Sequence, residues 1–149
     1  MQLVLKNKYF MGNHRSYCPI NLALEVFGDK WSLIIIRDIM FSGKRHFREL
    51  LQSDEKIASN ILTDRLAMLE QEGIITKESD PDHKQKIIYS LTSKGIDILP
   101  VIKAMGEWSF KYQPVDVEAN QHAKMLADGG NELVEEIKHQ LRKEHNVAS

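Results

Sequence analysis

The sequence predicts a mainly α-helical domain with a small two- to three-stranded antiparallel β wing, arranged as a winged helix-turn-helix. Three observations support this fold class. Apolar residues recur at helical spacing in four successive segments, and Gly28, Gly43 and Gly73 stand where three of those segments end. Two β-rich runs then flank a turn-rich stretch, which is typical of a hairpin.

Size and composition suit one globular domain. The chain has 149 residues, of which 42% are hydrophobic and 28% charged. No apolar run reaches the roughly 18 residues that span a bilayer, and no signal-peptide core follows the first lysines. We therefore expect a cytoplasmic protein without a membrane partner.

The first two helices are predicted from their start and stop signals. Pro19 suits a first helical position, and the apolar stripe that follows it ends at Gly28. Asp29 is a good N-cap for a second helix, which is apolar on nearly all sides until Gly43. This second helix is expected to form the buried centre.

A short third helix and a longer fourth helix follow, separated by a turn at residues 53–56. The fourth helix, predicted from about Ala58 to Glu72, places Leu62, Leu66 and Leu69 along one line. Its opposite side carries mainly polar residues. This helix therefore docks through one face and presents the other.

The wing is predicted from strands at residues 74–78 and 85–91, joined by a polar loop. Thr92 then caps a long helix that Pro100 is expected to bend. A last helix after Gly129 and Gly130 carries an apolar stripe.

This order of elements predicts binding to double-stranded DNA. The major groove of B-DNA admits one helix, and a basic hairpin can contact the adjacent backbone. The fourth helix is the candidate recognition helix, with Ser59, Asn60 and Thr63 as polar groups near its N-terminus. Phosphate contacts are expected from seven basic residues on the turns, this helix and the wing: Lys44, Arg45, Arg48, Lys56, Arg65, Lys84 and Lys86.

Two residues of the recognition helix have alternative roles. Arg65 lies at the border of the docking face, where an ion pair between helices is as consistent with the pattern as a phosphate contact. Asp64 repels phosphate but can accept a hydrogen bond from a cytosine amine, so it is retained as a base contact.

Charge is distributed unevenly along the chain. The net formal charge is −1, but residues up to Gln113 carry sixteen basic against fourteen acidic groups, and those from Pro114 onward four against seven. The first part therefore has a net charge of +2 and the tail one of −3. This distribution favours the first part as the nucleic-acid binding region.

Several motifs in register resemble the HxlR-type winged-helix regulators. They are Cys18-Pro19, residues 27–33 (FGDKWSL), Arg37-Asp38, residues 47–50 (FREL), 62–66 (LTDRL), Gly73-Ile74-Ile75, 89–92 (YSLT) and Trp108. The resemblance covers about residues 18–112 and implies homodimeric DNA-binding repressors or activators, in which the first and last helices form the dimer. Asp29 and the wing residues 83–86 (HKQK) depart from the family pattern.

The resemblance divides the chain into an N-terminal arm (1–17), a DNA-binding domain (18–113) and a C-terminal helical extension (114–149). We expect the last helix to add to the dimer interface, because Leu133, Ile137 and Leu141 form a stripe. Packing of that stripe on its own domain is the alternative. A symmetric dimer predicts an inverted-repeat operator.

Cys18 is the only cysteine, which excludes an intramolecular disulfide and a zinc site of several thiolates. Some members of the resembling family respond to electrophiles or oxidants through a cysteine near the N-terminus, and Cys18 lies at the matching place. A thiol before a Pro-started helix is activated by the helix N-terminus. The alternative is a small residue that packs the dimer seam.

The sequence contains no motif of an enzyme or a cofactor site. Glu135 and His139 form a metal-like pair on a charged helix, which favours a solvated face, so we expect no metal and no cofactor. A small-molecule effector is neither predicted nor excluded. A winged-helix protein-interaction module without DNA binding is the alternative function.

Overall fold

The computed structural model describes residues 13–148, so the first twelve residues of the predicted arm lie outside the described residues. Four helices precede a hairpin, and further helices follow it. The elements are α1 (Pro19–Phe27), α2 (Ser32–Phe41), α3 (Phe47–Leu50), α4 (Ser59–Gln71), β1 (Ile75–Ser79), β2 (Ile87–Leu91), α5 (Ser93–Ile96), α6 (Leu99–Tyr112), a 3-10 turn (Glu118–Asn120), α7 (Gln121–Asp128) and α8 (Asn131–Glu144). None of the helices within this range is long and apolar enough to cross a membrane.

The core is built around α2, as predicted. Ile35, Ile36 and Ile39 on this helix are almost fully buried. The docking face of α4 supplies its three buried leucines to the same cluster, and both strands and helices α5, α6 and α8 add further apolar side chains. Burial of this continuous apolar surface is the main favourable term for folding.

Asp29 caps α2 although it lies two residues before the N-cap position, Trp31. We predicted Asp29 as the N-cap, but the helix begins at Ser32. Asp29 Oδ1 accepts hydrogen bonds from the backbone N–H groups of Trp31 (2.8 Å) and Ser32 (2.9 Å), and Oδ2 accepts one from the Ser32 hydroxyl (2.5 Å). Burial opposes ionisation of Asp29, but these bonds and the nearby Arg65 outweigh it and lower its pKa.

The wing in the described chain is a two-stranded antiparallel sheet, which is the smaller of the two strand numbers that we predicted. Its register pairs Ile75 with Leu91, Lys77 with Tyr89, and Ser79 with Ile87. Outside the sheet, the backbone N–H of Tyr89 donates to the carbonyl of Arg45 at 2.8 Å. This backbone bond joins the loop before α3 to β2 where a third strand would lie.

The segment after the wing differs from the single bent helix that we predicted. Thr92 caps as expected, its hydroxyl accepting a hydrogen bond from the Gly95 N–H at 3.1 Å. The helix then stops at Ile96, and α6 starts at Leu99 with Pro100 in its first turn. Proline lacks a backbone donor, and the first turn of a helix needs none, so Pro100 starts a new helix instead of bending an old one.

The C-terminal extension packs on its own domain. On α8, Val134 and Leu141 are buried in the main core, which agrees with the alternative to a dimer interface. Beyond α8, His145 Nδ1 accepts a hydrogen bond from the backbone N–H of Leu91 at 2.9 Å. Burial, together with the positive charge of Arg45, lowers the pKa of His145 to about 4, so the imidazole is neutral near pH 7.

We expect Gly95→Ala to destabilise the domain by about 1–3 kcal/mol. A Cβ at this position would lie 2.3 Å from the Ile74 carbonyl oxygen, so β1 and α5 would have to move apart. Urea unfolding measures the change, and Gly106→Ala is the matched control because its Cβ meets nothing within 4 Å. An unchanged free energy of unfolding in Gly95→Ala would contradict the expectation.

Candidate nucleic-acid interface

The exposed face of α4 brings together the predicted base-contacting residues. Ser59, Asn60, Thr63 and Asp64 are all exposed at its N-terminal half, while the buried leucines hold the opposite face in the core. The Thr63 hydroxyl donates to the Ser59 carbonyl at 2.9 Å, which leaves its lone pairs and methyl group outward. This face offers short polar groups of the kind that reach base edges.

Arg65 joins α4 to the start of α2. Its guanidinium donates to Asp64 Oδ2 at 2.5 and 3.1 Å and lies 3.4 Å from Asp29 Oδ2. The geometry therefore favours the ion-pair role over the phosphate contact. Because the Arg65 charge offsets that of Asp64, the acidic group on the recognition face is less repulsive to phosphate than it would be alone.

Two further predicted phosphate contacts are engaged within the domain. Lys44 Nζ donates to the Gln52 carbonyl at 3.1 Å and lies 3.6 Å from the buried carboxylate of Asp38. Arg45 donates to the Tyr89 carbonyl at 2.6 Å and to the Ser90 hydroxyl at 2.5 Å, and its burial lowers its pKa. Both side chains hold the loop before α3 in place. Lys44 joins it to the segment just after α3, and Arg45 joins it to the wing.

Four predicted cations remain exposed. Arg48 lies on α3, Lys56 in the turn before α4, and Lys84 and Lys86 in the wing loop. Within residues 13–148 their side chains make no ion pair in the structure. A solvated cation without an acidic partner can bind phosphate without first breaking an ion pair. We refer to these four residues as the exposed basic set.

The turn before α4 is held by Arg37, a residue that the sequence indicated only as part of a motif. Its guanidinium binds both oxygens of Glu55, at 2.9 and 2.7 Å, and also Asp38 Oδ1. The bidentate pair with Glu55 raises the pKa of Arg37 and lowers that of Glu55. The orientation of the recognition helix therefore depends partly on an ion pair formed from α2.

His46 connects α3 to the base of the wing, and we did not predict this contact. Its Nε2 lies 2.6 Å from Asp80 Oδ2, and its Nδ1 lies 2.7 Å from Glu49 Oε1. The hydrogen bond with Asp80, followed by the one with Glu49, raises the pKa of His46. His46 and Glu49 have the spacing of a capping box, so the sequence could have predicted the contact between these two residues. It carried no comparable signal for the contact with Asp80.

The wing loop is tightly bonded at its base. The Asp80 N–H donates to the Lys86 carbonyl at 2.9 Å, and Asp80 Oδ1 accepts from the Asp82 N–H at 2.9 Å. The Lys86 N–H donates to the His83 carbonyl at 2.7 Å. Lys84 and Lys86 thus extend from a loop whose base is closed by backbone hydrogen bonds.

Cys18 is exposed at the N-cap of α1. The backbone N–H groups of Asn21 and Ile20 lower its pKa, which favours the thiolate. Arg15 nearby donates to the Asn21 side-chain oxygen at 2.9 Å. The shift of the thiol pKa therefore comes from the backbone of the first turn of α1.

A second surface is apolar and uncovered in the monomer. Val101, Met105, Trp108 and Tyr112 of α6 are 37–62% exposed and recur at helical spacing along one side. On α1, Ile20 and Leu24 are 71% and 51% exposed, and no residue of this helix is fully buried. These six residues are the exposed apolar set.

No cluster of three or more potential metal ligands occurs in the part of the chain that the structure describes. Glu135 lies 4.0 Å from Lys138 Nζ instead.

Comparison with known proteins agrees with this geometry. Residues 26–117 match the family model described as HxlR-like helix-turn-helix. YodB of Bacillus subtilis, an HTH-type transcriptional regulator, is 31% identical over 68% of this chain and 89% of its own length. Its structure in the reduced form has a TM-score of 0.55, with 30% identity, and covers 68% of this chain and all of that one.

Two other solved structures are also similar. PA1607 superposes with a TM-score of 0.62 and 32% identity, over 68% of this chain and 70% of its own. The redox regulator HypR in its reduced form superposes with a TM-score of 0.54 and 32% identity, over 70% of this chain and 94% of its own. YodB has also been solved with bound quinone and after diamide treatment.

We expect the contact of His46 to stabilise the protein more at pH 6 than at pH 9. A raised folded-state pKa means that the stabilisation is complete below the ordinary histidine value of about 6.5 and is lost as pH rises through the raised value. Asp80 and Glu49, whose pKa values are lowered, stay ionised across this window. Denaturant unfolding of wild type and His46→Gln measures the difference in the free energy of unfolding.

The matched control is His139→Gln, at an exposed position on α8. A difference between wild type and His46→Gln that stayed constant from pH 6 to pH 9 would contradict the assignment of this contact to an imidazolium.

Proposed function

The chain belongs to the HxlR-like helix-turn-helix family, whose members are transcriptional regulators, and we propose that it binds a specific operator as a homodimer. In this proposal α4 enters the major groove, and the wing contacts the neighbouring backbone. The observation that carries it is that the polar face of α4 is exposed, and that the four cations of the exposed basic set, on α3, the turn before α4 and the wing loop, are exposed as well. Nothing in the proposal requires catalysis.

Base recognition is assigned to Ser59, Asn60 and Thr63, with Asp64 as a further base contact. Asn60 is the strongest candidate for specificity, because an amide side chain can both donate to and accept from adenine. Phosphate contacts are assigned mainly to the exposed basic set. Lys44, Arg45 and Arg65 would contribute chiefly by fixing the loop and the helix that carry those contacts.

The exposed apolar set supports dimerisation through α1 and α6. Four large apolar side chains are exposed along one face of α6 and two more on α1, and exposed apolar faces of this kind mark interaction surfaces. Trp108 and Tyr112 lie with ring centroids 5.5 Å apart and would form the aromatic centre of the interface. A two-fold axis between the copies would present two recognition helices to an inverted repeat.

Cys18 is proposed as a thiol that regulates DNA binding. It is exposed, has a lowered pKa and lies at the start of α1, one of the two proposed interface helices. The relatives include the redox regulator HypR and a YodB with bound quinone. Addition of an electrophile to the thiolate would place a bulky group beside the interface and change the spacing of the two recognition helices.

The direct test titrates the protein, at two salt concentrations, against a fragment from upstream of its own gene and a shuffled fragment of equal length. We expect at least about a thousandfold preference for the native fragment and weaker binding at higher salt. Absence of binding to either fragment at low salt would favour the protein-interaction module.

Variants then separate the two kinds of contact. We expect Lys56→Ala to weaken binding to both fragments and to reduce the salt slope by about one, whereas Asn60→Ala reduces mainly the preference for the native fragment. Lys143→Ala, an exposed lysine on α8, is the control. Equal behaviour of Lys56→Ala and this control would remove Lys56 from the interface.

We expect Met105→Asp to convert the dimer to a monomer, because it places a charge in the centre of the exposed apolar set. Sedimentation velocity measures the oligomeric state. Met125→Asp is the matched control, since Met125 on α7 is 62% exposed but lies outside this set. A Met105→Asp protein that remained dimeric would show that α6 is not the interface.

Treatment with a benzoquinone should lower operator affinity in wild type and leave it unchanged in Cys18→Ser. The activated thiolate adds to the quinone ring, and intact-mass measurement reports the adduct. An identical loss of affinity in both proteins would remove Cys18 from the mechanism.

A further inference from the structure

A cavity of about 700 Å³ lies between the helix-turn-helix domain and the C-terminal extension. One side is formed by the end of α2, with Phe41 and Ser42, and by α6. The other side comes from the 3-10 turn, α7 and α8. All of the lining residues on this second side lie beyond residue 117, where the match to the family model ends. The cavity volume is within the usual range for small-molecule sites.

The lining is mainly apolar. Ile102, Leu126 and Ile137 contribute aliphatic surface, and the lining side chains of Phe41 and Met125 are 45% and 62% exposed. Gly106 faces the open space, because a Cβ there would meet nothing within 4 Å. The space is therefore kept open by a glycine in a helix where alanine would fit and would be more favourable.

The charged groups around the cavity have one sign. Lys103 and Arg37 both line it, and none of the lining residues is an aspartate or a glutamate. The Lys103 side chain is only 15% exposed, and its ammonium contacts Glu107 and the Ala127 carbonyl, which leaves one of its three donors free. Arg37 has carboxylate partners, but these lie outside the lining.

We propose that this cavity binds a small, mainly apolar molecule that carries one carboxylate. The apolar body would contact the aliphatic lining, and the carboxylate would accept a hydrogen bond from Lys103. A neutral apolar molecule would cover the remaining Lys103 donor without giving it an acceptor, which costs free energy. A cationic molecule would face two cations and no carboxylate in the lining.

The site does not depend on the proposed DNA binding, but it has a structural connection to the recognition helix. Arg37 both lines the cavity and holds Glu55 in the turn before α4. An effector in this cavity would therefore share one side chain with that turn.

The test measures binding of 1-naphthoate and of its neutral methyl ester to the full chain by isothermal titration calorimetry, without DNA. We expect 1-naphthoate to bind roughly tenfold more tightly than the ester, the effect of one charge-assisted hydrogen bond. Octanoate, an aliphatic carboxylate, serves as a second acid. Failure of both acids to bind saturably at millimolar concentration would overturn the proposal, as would equal affinity for acid and ester.

Two pairs of variants locate the site. Lys103→Met should lower the affinity for 1-naphthoate by roughly tenfold and leave the ester unchanged, whereas Lys111→Met, an exposed lysine on the same helix, should change neither. Gly106→Leu should abolish binding of both probes by filling the space, and Gly106→Ala should preserve it. Circular dichroism checks that each variant is folded, and unchanged binding in a folded Gly106→Leu protein would overturn the assignment to this cavity.

Discussion

The burial of α2 is the constraint on which the rest of the structure depends. This helix is apolar on nearly every side, and Ile36 has no exposed surface. An apolar helix of this kind is stable only when other elements cover it. In this domain α4, both strands and the later helices pack around α2. Contact with the core buries one face of α4, and the opposite face is therefore the one exposed as the proposed recognition surface.

Polar contacts then fix orientations that apolar packing alone leaves free. Arg37 holds the turn before α4, Arg65 holds α4 against the cap of α2, and Arg45 and His46 hold the wing. These cations are matched by acceptors, whereas the exposed basic set is not. A net charge of −1 is therefore compatible with an exposed basic set, because acidic groups pair with Arg37, Arg65 and His46 and leave the exposed cations unpaired.

The sequence predicted the elements well and the pairing of charges poorly. Helical spacing and stop signals located α1 to α4, and Gly43 and Gly73 have the positive φ values that such stops require. The predicted docking leucines of α4 are buried. Local patterns of this kind span a few residues and can be seen in a single segment. The break between α5 and α6 was missed because Pro100 suits both a bend and a helix start.

The contacts of Arg45 and His46 were missed because their partners are distant in the chain. Arg45 and Ser90 are 45 positions apart, and His46 and Asp80 are 34 apart. Only the fold decides which of many lysines and arginines meets an acceptor, so seven phosphate contacts were predicted, with an ion pair as the alternative for Arg65, and four of the seven have unpaired side chains. The cavity was invisible for the same reason, since its lining comes from helices on both sides of the domain boundary.

The pairing of the outer edge of β2 has a consequence for how copies of this protein behave in solution. A two-stranded ribbon exposes backbone donors that can recruit foreign strands and begin aggregation. Here the outward N–H of Tyr89 is bound by the Arg45 carbonyl, and that of Leu91 by His145 from the far end of the chain. The neutral imidazole of His145 supplies the acceptor for Leu91, so the C-terminal extension covers part of the edge that a foreign strand would need.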